Sequence, residues 1–414
     1  MLSKLAKITL FLAPSGIFFL PIPALGSFRT FYIPLLFLNL IAIANLWRRQ
    51  LAEVAVLVFL FGLFWFSAAY GYIAFDLVPQ SPTENPFVRW VVIANLGFGF
   101  YFLGCWLDGA ENSVVWFKRV DITYYGFIVV FSLGFLLYLS VVFGPVPASF
   151  YKHFVTVEQS AFGYLRLSPG TYPNEFGTLC SFFAIYALIK NSREGGLVPV
   201  TIALLSLIGI ALASTRSAYV TLICGTLIVI VGMPSLKRQT QAIVAIMIAV
   251  PLGLLLLNAL SFNTIGVIQG GYSAAMDPSR GSLGTRLTAW ATAYGEFVNF
   301  PFWGFGFESS NIIFLHNLFL QEIFGLGLLG SALAILLSIV FWMTRKWDAS
   351  IGVICVQSED RRYMMLIRLV ALEHTVLFGL NNHNQSHFLT WLTFALFVSN
   401  IFNFDPNRQA RESG

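Results

Sequence analysis

Apolar residues in this chain come in long unbroken runs, with neither the two-residue alternation of a half-buried strand nor the one-sided stripe of a surface helix. Twelve runs stand out, at 5–24, 29–46, 51–75, 87–107, 120–143, 174–190, 197–214, 217–233, 240–260, 314–342, 363–380 and 388–404. A run of about 17 to 25 apolar residues crosses a hydrocarbon core about 30 Å thick as a helix. The pattern predicts an all-α polytopic membrane protein of about twelve transmembrane helices. Residues 1–414 then form a single integral membrane domain, with no stretch left for a separate soluble one.

Composition agrees. Hydrophobic residues make up 57% of the 414 and charged residues only 10%, where a soluble domain carries roughly a quarter. Charge placement adds an orientation. Lys4, Lys7, Arg48, Arg49, Lys118, Arg119, Lys190, Arg193, Lys237, Arg238, Arg345, Lys346, Arg361, Arg362, Arg408 and Arg411 all fall in alternate loops. By the positive-inside rule that side is cytoplasmic, and both termini lie there. The segment "PALGS" resembles a signal-peptide cleavage site, but the first run reads as a retained helix. The net charge of +5 is explained by this topology and points to no nucleic-acid partner. The four cysteines are scattered and suggest neither a disulfide framework nor a metal site.

Loop lengths place the chemistry. The cytoplasmic connections are short and hold no phosphate-binding glycine loop. Two long loops, 144–173 and 261–313, lie outside. Chemistry is therefore expected at the outer face, where nucleotide-activated substrates are absent.

Eight basic residues ignore the inside bias, among them Arg29, Arg89, Arg166 and Arg368. Arg216 sits in "ALASTRSAYVTL", a tight polar hinge that holds its guanidinium at lipid-headgroup depth. That planar fork of donors suits phosphate oxygens, though an arginine at this depth also snorkels without any ligand. Arg286 sits in "SRGSLGTRLTAWATAYGEFVNFP". There Leu287, Trp290, Ala291, Tyr294, Phe297 and Val298 recur at helical spacing, which predicts an amphipathic helix starting near Thr285. A cation in its first turn opposes the helix dipole and makes sense if an anion binds there, with Arg280 assisting. A solvated loop arginine is the plainer alternative. Pro301, Gly304 and Gly306 then predict a stop and a tight turn. The chain next reaches His316 and Asn317 at the outer mouth of the tenth run. An imidazole suits a general base near neutral pH, although a lone histidine at a helix mouth is often only an interfacial polar residue. Glu322 follows on the same helix. The last outer loop, "NNHNQSHF", adds His383 and His387, which read either as alternative bases or as polar loop filler.

The ordered set "YPNEFGTLCSFF", "STRSAY", "GTRLTAW…EFVNFPFWGFGFE" and "HNLFLQEIFGLGLLG" resembles the signature region of the O-antigen polymerase and O-antigen ligase superfamily. The resemblance covers about 172–340. It implies a GT-C-like fold with short amphipathic periplasmic helices, and a metal-independent, inverting glycosyltransferase that needs no cofactor. Such an enzyme takes a glycan from undecaprenyl pyrophosphate and joins it to an acceptor hydroxyl at the periplasmic face of the inner membrane. By motif, Arg216 and Arg286, with Arg280, would bind the donor pyrophosphate. His316 would serve as base, and Asn317 and Glu322 would support it. No outward-facing Asp-x-Asp pair is present to hold a metal.

The acceptor separates the members of the superfamily. Only about 30 residues lie between Arg286 and His316, where ligases often carry a longer helical insertion, and this favours a polymerase acting on lipid-linked repeat units. A polymerase would also meet a chain-length regulator. The alternatives are transfer to lipid A–core or to a protein hydroxyl. A transporter or flippase is the rival from another class. It needs ionisable groups inside the bilayer, for which Arg368, Glu373, His374 and Glu322 are the candidates. Arg368 and Glu373 are spaced to pair poorly, and Glu373 and His374, being adjacent, are expected to point apart.

Overall fold

The computed structural model describes residues 1–14, 19–22, 26–29, 31–46, 51–75, 85–144, 158–159, 165–169, 173–213, 215–233, 282–307, 315, 317–344, 359–381 and 387–399. Helix α1 spans Leu2–Leu12 and is followed by an antiparallel hairpin of β1, Phe19–Ile22, and β2, Gly26–Arg29. This corrects the single span expected over 5–24. Pro14 and Pro21 both lack the N–H that a continuing helix needs.

Helices α2 (Tyr32–Leu46), α3 (Leu51–Ala74), α4 (Pro86–Asp108) and α5 (Ser113–Val142) then follow the expected runs. At the start of α4 the Asn85 side chain accepts from the Phe87 N–H at 2.9 Å, with Pro86 at the first helical position. A two-residue pairing of β3, Glu158–Gln159, with β4, Leu165–Arg166, lies in the loop expected over 144–173. Next come α6 (Pro173–Glu194), α7 (Leu197–Ala213), α8 (Arg216–Gly232), α9 (Ser282–Phe297), α10 (Leu318–Thr344), α11 (Glu359–Asn381) and α12 (Phe388–Val398). Among the described helices, α3, α4, α5, α10 and α11 are long and apolar enough to cross a membrane, and α2, α7, α8 and α12 are apolar but shorter. The span expected over 240–260 lies outside the described residues.

Helix α6 is the centre of the bundle. It is buried from Glu175 through Ile189 and packs against α7, α8 and α11. Helices in lipid gain little from the hydrophobic effect and rely on close contact, which small residues permit. At Gly209 of α7 a methyl group would lie 2.6 Å from the Phe131 ring and 2.7 Å from Cys180 Sγ, so no larger residue fits between α5 and α6. The Phe127 and Phe183 rings stack nearby at 4.4 Å.

One end of the bundle gathers basic residues assigned to a common side. Arg193 Nε lies 3.3 Å from Asp360 Oδ1, and its guanidinium sits 3.6 Å from the centre of the Phe117 ring. Ser113 donates to Asp360 at 2.5 Å, and Lys190 pairs with Asp121 at 2.7 Å. The start of α5, the end of α6 and the start of α11 therefore meet, as alternating spans require. Arg368 is spent at this end too: it donates to both oxygens of Ser399 and does not pair with Glu373, in line with their spacing.

Helix α10 is broken. Gly327 has φ 70° and ψ 176°, and the residues around it give up part of the helical hydrogen-bond ladder. The turn at 301–307 fills the gap, with Gly304 at φ 65° and Gly306 at φ 95°. Phe305 N–H and Gly306 N–H donate to the carbonyls of Phe324 and Gly325 at 2.9 and 2.8 Å. In return, Leu328 N–H and Leu329 N–H donate to the carbonyls of Pro301 and Phe302 at 2.8 and 3.1 Å. Irregular backbone at membrane depth is tolerated only when its polar groups are satisfied in this way. The approach needs glycine: a Cβ on Gly304 would lie 2.2 Å from Phe324 O, and one on Gly327 would lie 2.3 Å from Phe302 O.

Candidate active site

The opposite end of the bundle carries the described members of the sequence-predicted set, Arg216, Arg286, Asn317, Glu322 and His387. Arg216 is the first residue of α8, and Thr215 before it makes no side-chain cap. The first backbone N–H groups of that helix lack intrahelical partners, and the backbone of Arg216 lies among them. Helix α9 begins at Ser282, three residues earlier than expected, because one glycine (Gly284) early in a helix costs only about 1 kcal/mol. Arg286 therefore lies beyond the first turn. The helix-start position expected for Arg286 is occupied by Arg216 instead.

The face of α9 also differs from expectation. Ala293 and Phe297 are buried, with Ala289 and Trp290 packed beside them, whereas Leu287, Tyr294 and Val298 are exposed. Both sets recur at helical spacing, so the pattern alone did not choose between them. The buried face meets α10 through Phe297 and Phe324, whose ring centres are 4.8 Å apart.

Trp290 makes the decisive contact. Its indole Nε1 donates to the carbonyl of Leu315 at 2.6 Å. Trp290 is one helical turn beyond Arg286, on the same face, and Leu315 is the residue before His316. The helix carrying Arg286 is thus tied to the backbone that leads into His316. Asn317 next to it is fully used. Its Oδ1 accepts from Leu320 N–H at 3.0 Å and caps α10, while its Nδ2 donates to Leu380 O at 3.2 Å and holds the end of α11. Glu322 is half-buried on the same helix. His316, Arg280 and His383 lie outside the described residues, as does the side chain of Arg216.

Residues 201–335 match the family model described as O-antigen ligase. That match covers about a third of the chain and supports the resemblance to the O-antigen polymerase and ligase superfamily. It spans Arg216, Arg280, Arg286, His316, Asn317 and Glu322, and leaves His383 and His387 outside. No curated protein matches the chain closely enough to be compared with it.

The surroundings of these residues include groups that the sequence pattern left unassigned. Arg29 Nη2 pairs with Glu175 Oε2 at 3.0 Å, and both side chains are buried. Glu175 stands at the start of α6 beside Gly177, where an added methyl would lie 2.2 Å from Thr215 Oγ1. The start of α6 that carries Glu175 therefore packs closely against the residue before Arg216. The signal was present, since Arg29 broke the charge rule and Glu175 lies inside "YPNEFG", but nothing in the sequence joined them. Arg166 is bonded too, from Nε to Ala213 O at 2.9 Å, where a cation suits the negative end of α7.

His387 stacks on Phe378 with ring centres 4.1 Å apart and is 1% exposed. Burial, reinforced by the Arg29 charge, pushes its imidazole down to about 3, with only the Glu175 backbone offsetting this. So weak a base draws little driving force for taking a hydroxyl proton. The expectation that Glu373 and His374 point apart is corrected: His374 Nδ1 lies 2.5 Å from Glu373 Oε2. The flexible glutamate reaches round its own helix to the neighbouring ring. His374 Nε2 also bonds Ser181 Oγ at 2.8 Å, and Nδ1 lies 2.9 Å from Val370 O.

Proposed function

We propose that this protein is a metal-independent, inverting glycosyltransferase of the bacterial inner membrane, with both termini cytoplasmic and its site open to the periplasm. It transfers a glycan from undecaprenyl pyrophosphate to an acceptor hydroxyl, polymerising lipid-linked repeat units. The observation that carries the reading is the Trp290–Leu315 bond, which ties the helix of Arg286 to the chain entering His316 inside the matched family segment.

Arg216 and Arg286, with Arg280, hold the pyrophosphate of the donor. Their charge stabilises it as the bond between the anomeric carbon and the phosphate oxygen breaks. His316 accepts the proton of the acceptor hydroxyl as that oxygen forms the new glycosidic bond on the opposite face of the sugar. The products are the extended glycan and undecaprenyl pyrophosphate, and the histidine returns its proton to water.

A ligase reaction, with lipid A–core as acceptor, is the second reading. It is favoured by the description of the matched family, whereas the short Arg286–His316 interval favours polymerisation. Purified protein in liposomes, given the source bacterium's own lipid-linked repeat unit, separates these readings. A polymerase lengthens the lipid-linked glycan without added acceptor, and a ligase needs lipid A–core. A transporter leaves length and linkage unchanged, and that result contradicts the proposal.

A further inference from the structure

The helix of Arg286 and the helix entered through His316 are fastened to each other at two levels. The upper fastening is the Trp290 indole on Leu315 O. The lower one is the break in α10, about 10 Å further along the helix at 1.5 Å per residue, where the 301–307 turn exchanges backbone hydrogen bonds with residues 324–329. Helix α9 runs into that turn with no gap, since Gly304 N–H bonds Phe300 O at 3.0 Å and Phe300 N–H bonds Phe297 O at 2.9 Å. The two helices and the turn form one closed unit.

A single side chain from outside this unit binds both of its arms at the lower fastening. Ser67 of α3 is buried, and its Oγ accepts from Phe307 N–H at 3.0 Å and donates to Gly325 O at 3.4 Å. One helical turn along, Gly71 brings the backbone of α3 against the turn, where an added methyl would lie 2.5 Å from Phe305 O and 2.8 Å from Gly306 Cα.

We infer that Ser67 is a positioning residue for glycan transfer, bridging the 301–307 turn and the broken point of α10 so that Arg286 and His316 keep a fixed relation. The inference rests on the roles proposed above for those two residues. Ser67 touches neither donor nor acceptor; it acts through the backbone. Without the hydroxyl, the buried Phe307 N–H loses its acceptor and the turn loses its anchor to α3, an unsatisfied group that the fold relieves by shifting the turn. Small displacements far from the reacting atoms cost rate out of proportion to their size.

The test is a kinetic cycle in proteoliposomes with the lipid-linked repeat unit as substrate, alongside binding of undecaprenyl pyrophosphate as a separate probe. Ser67→Ala is expected to lower kcat about tenfold, equivalent to about 1.4 kcal/mol, and to leave probe binding within about twofold. The double variant Ser67→Ala/His316→Ala should be no slower than His316→Ala alone, because the placement of an absent imidazole no longer matters. A Ser67→Ala rate within about twofold of native, or losses that multiply in the double variant, overturns the inference. A native rate in His316→Ala contradicts the base assignment instead, and that single variant reveals it before the double is read. Ser67→Cys keeps a weaker donor and acceptor and should show a smaller loss in the same direction. It supplies the answer if the alanine variant fails to accumulate in the membrane, and an unchanged rate there again overturns the inference.

Discussion

Arg29 and Glu175 stand 146 residues apart in the chain and meet at 3.0 Å in a buried ion pair at the site end of the bundle. Removing one partner of such a pair strands a charge and costs about 3–5 kcal/mol. Glu175→Ala and Arg29→Ala should each lower the thermal midpoint in detergent by several degrees, and the double variant should recover part of the loss. Additive losses would show that the two residues stabilise the fold independently of each other.

His387 gives a pH signature. Its folded-state pKa is depressed to about 3 by burial and by the Arg29 charge, while the unfolded chain titrates near 6.5. As pH falls below about 6.5 the unfolded state takes up the proton first, so stability present above that pH is lost on the way down towards 3. Between pH 7.5 and 5 the midpoint of the native protein should fall further than that of His387→Asn. Equal slopes would mean that the buried imidazole does not govern this limb.

Orientation rests on charge placement and is open to labelling. In a background cleared of native cysteines, a membrane-impermeant thiol reagent added from outside should modify Ser309→Cys and spare Ser358→Cys. The reverse pattern would turn the site towards the cytoplasm and remove the periplasmic donor from the account.

Much of the architecture was legible because a membrane span is long, and its composition identifies it without tertiary knowledge. Helices α3, α4, α5, α10 and α11 fall where the runs predict them. The first run misled, since an apolar stretch interrupted by Pro14 and Pro21 is as greasy as a helix yet folds as a hairpin. The face of α9 was hidden for another reason: Leu287, Tyr294 and Val298 share one stripe, Trp290, Ala293 and Phe297 another, and both are apolar. The kink at Gly327 was invisible because glycine-rich spans pack closely far more often than they break. Arg216 and Arg286 could be found singly from their local surroundings. The link from Trp290 to Leu315, and the Ser67 bridge, are long-range contacts that no spacing reveals.

In the proposed mechanism the arginines hold the donor pyrophosphate while His316 takes the acceptor proton. The direct measurement compares His316→Ala with Arg216→Ala and Arg286→Ala, reading transfer rate and undecaprenyl pyrophosphate binding on the same preparations. His316→Ala should slow transfer about 10²–10⁴-fold with binding largely intact. Each arginine variant should lose about 10²–10³-fold in rate and weaken binding, with lysine a poor substitute for the guanidinium fork. If His316→Ala keeps more than about a tenth of the native rate, below the loss expected for a base, or if both arginine variants bind the probe as the native protein does, the account is contradicted.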